Sequence, residues 1–394
     1  MKIVYAQEAL PETITKSIFL VGPTPRSDNP VDSWRPKMLE ILASSGYDGH
    51  VFVPEPREGK WNQDYDKQVE WEKLCLEVSD RIIAWVPRDL KTMPAFTTNV
   101  EFGRYVNDGK LIYGRPDGTP KNQYLDWLYK DCTGRDPSTT MEELVDQVTG
   151  LQGMPRSGGC RYVPLDIYNK PMFADWLAEQ HAVGNRLDKA KVLWKFVIPK
   201  INFLFSYVLW VRVWIEEEQR YKENEYIFSR SDISTILPFW LDVKSNDLLA
   251  TKVVLIKEFR SPVRNSSGFV HELPGGSSFK KKENALEIAS DELKEETGLE
   301  IPANRFKQVF SRQLASTLST HKSVLFSVAL TDEELEKAEE LAASKQAFGV
   351  AEDTERTYVE VKTLRDIFKT DEVDWSMIGM IFNGISNHNP WCKS

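Results

Sequence analysis

The feature that most narrows the choice of fold is a rhythm between Ser17 and Gly114, where short apolar runs alternate with longer helical patterns. Ile18-Phe19-Leu20-Val21 precedes a helical stretch from Trp34 to Ala43. Val51-Phe52-Val53 precedes another from Val69 to Val78, and Arg81 to Val86 follows. Strands joined through helices run parallel, because the crossover returns the chain to the same edge of the sheet before the next strand begins. The spacing therefore predicts an α/β domain on a doubly wound parallel sheet. Gly22-Pro23, Pro54 and Pro87 close the strands at their carboxyl ends. Open sheets of this kind bind ligands outside those ends, so the loops after the strands should build the site.

A chain of 394 residues exceeds what one core organises, which predicts two domains. The stretch from Asp131 to Pro171 turns rich in Gly, Pro, Ser and Thr, and the boundary is placed there: a first domain over 1–150, a linker with a helix over 151–205, and a second domain over 206–394. Beyond Lys191 strands dominate, with Val208–Ile215 and Thr251–Ile256 the clearest. A helix is expected over Asn284–Thr297, then strands near Val309 and over Val324–Leu330, the order of an α+β fold or of an α/β/α sandwich with a mixed sheet. The net charge of −9, with no basic run longer than Lys280-Lys281-Lys282, argues against nucleic acid as a partner. Lys195, Pro199, Lys200 and Arg212 interrupt the apolar stretch from Val192 to Ile215, which argues against a membrane span. Four scattered cysteines and no secretory pattern at the start lead to the expectation of a reducing, cytoplasmic setting.

The second half carries Glu272-Leu273-Pro274-Gly275-Gly276, a basic loop, Glu283, and then a helix containing Asp291-Glu292-Leu293-Lys294-Glu295-Glu296-Thr297-Gly298. Helical spacing brings Glu292, Glu295 and Glu296 together on one face, with Leu286, Ala289 and Leu293 opposite and Gly298 as the C-cap. Carboxylates this close take up protons or a hard cation, which makes these three the expected ligands of Mg²⁺ or Mn²⁺. The segment resembles the Nudix box, with a likeness running over Arg212–Ser394 that is nearest to ADP-ribose and nucleotide-sugar pyrophosphatases. That resemblance implies metal-dependent hydrolysis of a nucleoside diphosphate derivative. It gives Glu295 a catalytic part, Arg260 and Glu272 a part in holding substrate, and a general base to Glu352, Asp353 or Glu355. Asp291 stands where the box has Arg, and Ser277 where it has Gly, so a module that binds such a ligand without cutting it is the alternative reading.

In the first half the chemistry gathers in Gly22-Pro23-Thr24-Pro25-Arg26, Ser33-Trp34-Arg35, Gln68 to Glu72, Asp80, and Thr98-Asn99-Val100-Glu101. Glu101 is expected at the start of a helix, where backbone amides would steady it as an anion able to attack an anomeric carbon. Glu72 or Glu70 would handle the proton. Arg26 and Arg35 would grip a 5′-phosphate through charge-assisted hydrogen bonds. Over Ser17–Leu128 this region resembles the nucleoside 2-deoxyribosyltransferase-like family and its relatives that hydrolyse nucleotide N-glycosidic bonds. The resemblance implies a flavodoxin-like sheet, Glu101 as nucleophile, Glu72 as its partner, and Gly22, Thr24, Arg26, Arg35 and Asn99 around the substrate. The whole reads as a bifunctional nucleotide-processing enzyme with a nucleotide or nucleotide-sugar substrate, working as a homo-oligomer. Two rivals stand beside it: an N-glycosidase governed by an inactive, ligand-sensing second domain, and a true transferase that passes the sugar to a free base.

Overall fold

In the computed structural model the apolar runs of the first half become strands buried almost end to end. The described residues are 1–25, 31–57, 59, 64–198, 203–242, 244–245, 247–277, 284–349 and 355–388. They form two compact units, Met1–Ser229 and Arg230–Ser394. The first opens with β1 (Lys2–Tyr5) and a short β2 (Thr13–Ile14). It continues through β3 (Ser17–Val21), α1 (Arg35–Ser44), β4 (His50–Val53), α2 (Tyr65–Val78), β5 (Arg81–Trp85), α3 (Phe96–Tyr105), β6 (Leu111–Gly114), α4 (Gln123–Thr133) and α5 (Met141–Thr149). The sheet is parallel throughout, in the order β1-β4-β3-β5-β6. Alternate residues of each strand serve opposite faces. Phe19, Val21, Ile82 and Ala84 pack with α2, α3 and α4, while Ile18, Leu20, Ile83 and Trp85 pack with α1 and α5. This is the doubly wound parallel sheet that the spacing predicts. The chain winds outward from β3 to β4 and then crosses to β5 on the other side, so the loops after β3 and β5 part at the carboxyl edge.

Asp80, immediately before β5, ties later chain into this unit. Its carboxylate is fully buried against Arg156, at 2.8 Å to Nη1 and 2.6 Å to Nη2. It also accepts from Ser17 N at 2.8 Å, Ser17 Oγ at 3.0 Å and Leu165 N at 2.8 Å. Arg156 begins β7 (Arg156–Ser157), which pairs with β2. Then come α6 (Leu165–Tyr168), α7 (Pro171–Ala182), β8 (Arg186–Ile198), β9 (Phe203–Ile215) and β10 (Arg220–Arg230). The last three form a sheet in the order β10-β9-β8, with Phe173, Leu177, Leu187, Tyr207 and Leu209 in a core of their own. Lys195 of β8 reaches Asp108 at 2.6 Å and Asp166 at 2.7 Å, and Asp108 lies 3.4 Å from the buried Lys110. The units thus part at 229/230, whereas the sequence places the second domain from 206; position 206 lies inside β9. The segment expected as a linker over 151–205 supplies counterions and core to the first unit, which composition alone does not reveal.

The second unit is a mixed sheet between helices. Its elements are β11 (Ile233–Trp240), β12 (Lys252–Phe259), β13 (Phe269–Glu272), β14 (Gly275–Gly276), α8 (Ala285–Thr297), β15 (Lys307–Gln313), β16 (Lys322–Ala329), α9 (Asp332–Ser344), β17 (Ala347–Phe348), β18 (Thr357–Thr363), α10 (Leu364–Ile367) and α11 (Trp375–Ser386). The order is β15-β16-β11-β12-β18-β17, with β13 beside β12 and β14 beside β11. The β11–β16 pair is parallel and its neighbours antiparallel. Ala289, Leu293 and Ala338 from α8 and α9 cover one face, and Leu364, Met377, Ile381 and Ile385 from α10 and α11 the other. Among the described residues no helix is long and apolar enough to cross a membrane.

Candidate functional site

The carboxyl edge of the parallel sheet holds a cavity of about 320 Å³. It is lined by the loop after β3 (Gly22, Pro23, Thr24, Pro25), by Arg35, by Tyr65, Gln68 and Glu72 of α2, and by Pro94 to Thr98 and Glu101. Only glycine fits at 22, since a Cβ there would lie 2.2 Å from the Trp85 carbonyl oxygen and 2.4 Å from the Trp34 ring. Ala95 enters α3 in the left-handed region, at φ 62, which a non-glycine residue adopts only under constraint. Thr98, Glu101 and Tyr105 are spaced as one side of the helix, and Glu101 faces the cavity.

Glu101 and Glu72 meet as the sequence expects, but in a different electrostatic state. Glu101 is the sixth residue of α3, beyond the reach of the unpaired amides of the first turn, so the expected N-terminal stabilisation of its anion does not operate. Burial pushes its carboxyl up to about 8, the charge of Glu72 adds to the rise, and Arg35 opposes it. Burial also raises Glu72, against a 2.7 Å hydrogen bond from Gln68 Nε2 and the attraction of Arg35. Two carboxyl groups in one low-dielectric cavity share a proton more readily than they hold two charges.

The expected phosphate grip is not formed by Arg35. Its Nε donates to Leu20 O at 3.3 Å, its Nη2 to Gly22 O at 2.7 Å, and its Nη1 to Thr24 Oγ1 at 3.2 Å and Glu55 Oε1 at 2.5 Å. With Trp34 Nε1 donating to Pro23 O at 3.0 Å, these bonds pin the loop itself. Gly22 and Thr24 therefore line the cavity as expected, while Arg26 lies outside the described residues. Asn99 turns out of the cavity: its side chain is exposed and accepts from Arg88. Helical spacing explains this, since 98 and 101 share a face and 99 does not. Glu55 and Tyr65 are site residues that sequence reading misses, while Gln68 and Thr98 fall within the segments it singles out but receive no part there.

The carboxylates of α8 divide. Glu296 is 2 % exposed and accepts from Gly275 N at 2.9 Å, while Glu292 packs so closely on β14 that a Cβ at Gly276 would lie 2.1 Å from its Oε1. The two glycines thus belong to a strand: the missing side chain of Gly276 makes room for Glu292, and that of Gly275 for Ser234 and Thr235 of β11. Burial raises Glu292 to about 7, with Glu295, Glu355 and Asp291 adding to the rise. Burial lifts Glu296 well above the carboxylate range, and the charge of Glu292 adds to it. Glu295, expected as ligand and catalyst, stays exposed. Arg260 is held by Glu258 at 2.7 Å and lies 3.9 Å from Glu272, whose carboxyl is raised by burial. The basic loop at 280–282, Glu283, Glu352 and Asp353 lie outside the described residues. Among those described, no group of three or more His, Cys, Asp or Glu is placed to hold a metal ion. The fit to a divalent cation rests on the chemistry of the donors: hard carboxylate oxygens brought close together, Glu296 buried and Glu292 half-buried.

Residues 15–119 match the family model described as nucleoside 2-deoxyribosyltransferase like. That span contains the parallel strands β3 to β6 and the whole lining of the cavity, so the first unit carries a nucleoside 2-deoxyribosyltransferase-like domain. A domain of this kind suggests an enzyme of nucleotide metabolism that transfers or cleaves a glycosyl group. No curated protein matches the chain.

Proposed function

We propose that the first unit breaks the N-glycosidic bond of a nucleoside or nucleotide, with Glu101 and Glu72 as the reacting pair. The observation that carries this reading is the shared cavity of the two carboxyl groups, inside the span matched to the family model. The raised Glu101 holds the single proton of the pair at neutral pH. As the C1′–N bond breaks and its electron pair moves to the base, the proton shared by the pair passes through Glu72 to the base nitrogen. Glu101, left as the carboxylate, bonds to C1′ from the opposite face, and water or a second base then displaces it. The loop 22–25 encloses the sugar, and Tyr65 and Phe96, 71 % and 66 % exposed at the rim, offer ring faces to the base. The test follows base release from a nucleoside panel by chromatography, for the wild type, Glu101→Gln and Glu72→Gln. Loss of release by at least about a hundredfold in Glu101→Gln supports the assignment; retained release removes it. Acceleration by an added free base identifies a transferase, and its absence a hydrolase.

For the second unit the Nudix resemblance supports hydrolysis of a nucleoside diphosphate derivative, and the buried Glu296 bonded from Gly275 N, with the half-buried Glu292 against Gly276, favours it. These two would hold Mg²⁺ or Mn²⁺, which when bound polarises a phosphoryl oxygen and offsets its charge. Arg260 and Glu272 would border the substrate. Monophosphate release from ADP-ribose that vanishes in Glu296→Gln supports hydrolysis. Saturable ADP-ribose binding without release favours the regulatory reading instead.

A further inference from the structure

A second cavity, of about 390 Å³, lies at the amino edge of the parallel sheet, where α2 and α3 end. Its walls are Glu77 in the last turn of α2, Arg104 and Tyr105 at the end of α3, Lys110 just before β6, and Val192 to Lys195 of β8. The register of β8 against β9 shifts between Val192 and Trp194, so a bulge interrupts the ladder where the strand borders the cavity. A space of this volume is in the range of small-molecule sites.

The charges around it answer one another. Lys110 Nζ donates to Leu76 O at 2.7 Å and Glu77 O at 3.2 Å, which satisfies carbonyls at the end of α2, and Asp108 takes Lys195 at 2.6 Å. Glu77 Oε1 lies 3.3 Å from Arg104 and 3.3 Å from Lys191. The group left over is neutral. Tyr105 is 6 % exposed, and its hydroxyl is buried with no hydrogen-bond partner among the described residues. Burial raises that hydroxyl to about 12, so it keeps its proton and remains a donor at neutral pH. Buried polar groups in folded chains nearly always have a partner, so an unanswered one on a cavity wall marks a place for a ligand atom. On the facing strand Trp194 is 49 % exposed although its ring stacks on Phe196.

We propose that this second cavity binds a free nucleobase, an uncharged aromatic heterocycle whose ring lies against Trp194 and whose carbonyl oxygen or ring nitrogen accepts from the Tyr105 hydroxyl. A charged ligand would have to break one of the ion pairs in the wall. A neutral heterocycle breaks none, supplies the acceptor that Tyr105 lacks and offers a flat face to the indole. The choice of a nucleobase rests on the reading that the first unit releases one; the need for a flat, neutral acceptor does not. Glu72 and Glu101 stand on the same two helices, α2 and α3, so the occupant holds the far ends of both.

The experiment is peptide-resolved hydrogen exchange of the full chain, titrated with adenine, hypoxanthine, cytosine and thymine, and with benzoate as a flat anion. At least one base should protect segments 102–110 and 190–197, and benzoate should not. Tyr105→Phe, which keeps the ring and removes the hydroxyl, should weaken that protection by about tenfold, the worth of one hydrogen bond to a buried partner. Trp194→Ala, at a half-exposed position, should weaken it as well, while Glu101→Gln, in the other cavity, should retain it. The proposal is overturned if no base protects these segments, if protection falls only on the loop 22–25 and on 94–98, if it survives both Tyr105→Phe and Trp194→Ala, or if benzoate protects as well as the bases. Base release plays no part in this readout, so a first cavity that releases no base is a separate failure and is seen in the turnover assay alone.

Discussion

Removing either partner of the Asp80–Arg156 pair should destabilise the first unit, and the two removals should not cost the same. Both side chains are fully buried. Breaking such a pair leaves an uncompensated charge and typically costs about 3 to 5 kcal/mol. Arg156→Met leaves the Asp80 carboxylate with three donors, Ser17 N, Ser17 Oγ and Leu165 N, so its cost should fall near or below the lower end of that range. Asp80→Asn leaves the guanidinium with the Val163 carbonyl at 2.6 Å as its main acceptor and turns an amide N–H₂ toward groups that are themselves donors, so its cost should lie at the upper end. For a unit of this size each kcal/mol lowers Tm by about 2 to 4 °C. The losses should therefore be roughly 6 to 12 °C for Arg156→Met and 10 to 20 °C for Asp80→Asn. Calorimetry gives the shift, and peptide-resolved hydrogen exchange assigns it: β3, β5 and β7 should lose protection while β11 and β12 keep theirs. The double variant should cost less than the sum of the singles, since each removes what strands the other. Shifts below about 2 °C in both singles, or a larger loss in Arg156→Met, would refute the reasoning.

Other outcomes follow from the carboxyl groups. Base release should decline as pH rises through about 8, where Glu101 loses the proton destined for the base, and a profile flat to pH 9 would contradict that role. Gly276→Ala should displace the Glu292 carboxylate, because the added carbon would lie 2.1 Å from its Oε1; titration calorimetry with Mn²⁺ should show affinity lowered by about tenfold or more, and unchanged affinity would place the metal elsewhere. The second unit should lose stability as pH rises from 4.5 through about 7, since Glu292 in the folded chain keeps its proton to higher pH than in the unfolded chain. The loss from this group is at most about 3 kcal/mol. Denaturant unfolding of Glu292→Gln should show a weaker slope with pH, and an identical slope would assign the loss to other groups.

What the sequence discloses and what it conceals divide along a physical line. Local pattern suffices for the β-α-β rhythm, for the Ala289 and Leu293 face of α8, and for Gly298, which ends that helix in the left-handed region at φ 71. The carboxyl pair of the cavity is legible as well, because Glu72 and Glu101 lie on helices whose phase can be counted. The partner of a charge is a different matter. Arg35 is committed to Glu55, and Asp80 to Arg156, through contacts that exist only after the chain has closed on itself. The same holds for the raised carboxyl of Glu101, which depends first on burial and not on its neighbours in sequence. The strands of 186–230 have mixed burial along their length, with no clean period of two from which to count them.

The buried cluster of Lys110, Lys195, Asp108 and Asp166 also bears on how the chain comes to be folded as it is made. The set holds two cations and two carboxylates, drawn from positions 108 to 195, and Lys195 bridges Asp108 to Asp166. Synthesis proceeds from the N-terminus at about 5 to 20 residues per second, and a nascent domain folds once its parts have emerged. The segment that matches the family model is complete at residue 119, yet at that moment Lys110 faces a single carboxylate and Asp80 has no cation. Arg156 must leave the ribosome before the Asp80 charge is answered, and β8 before Lys195 joins Asp108, a wait of several seconds. The cavity at the carboxyl edge is thus written early in the chain, and the Asp80 charge beneath its sheet is answered late.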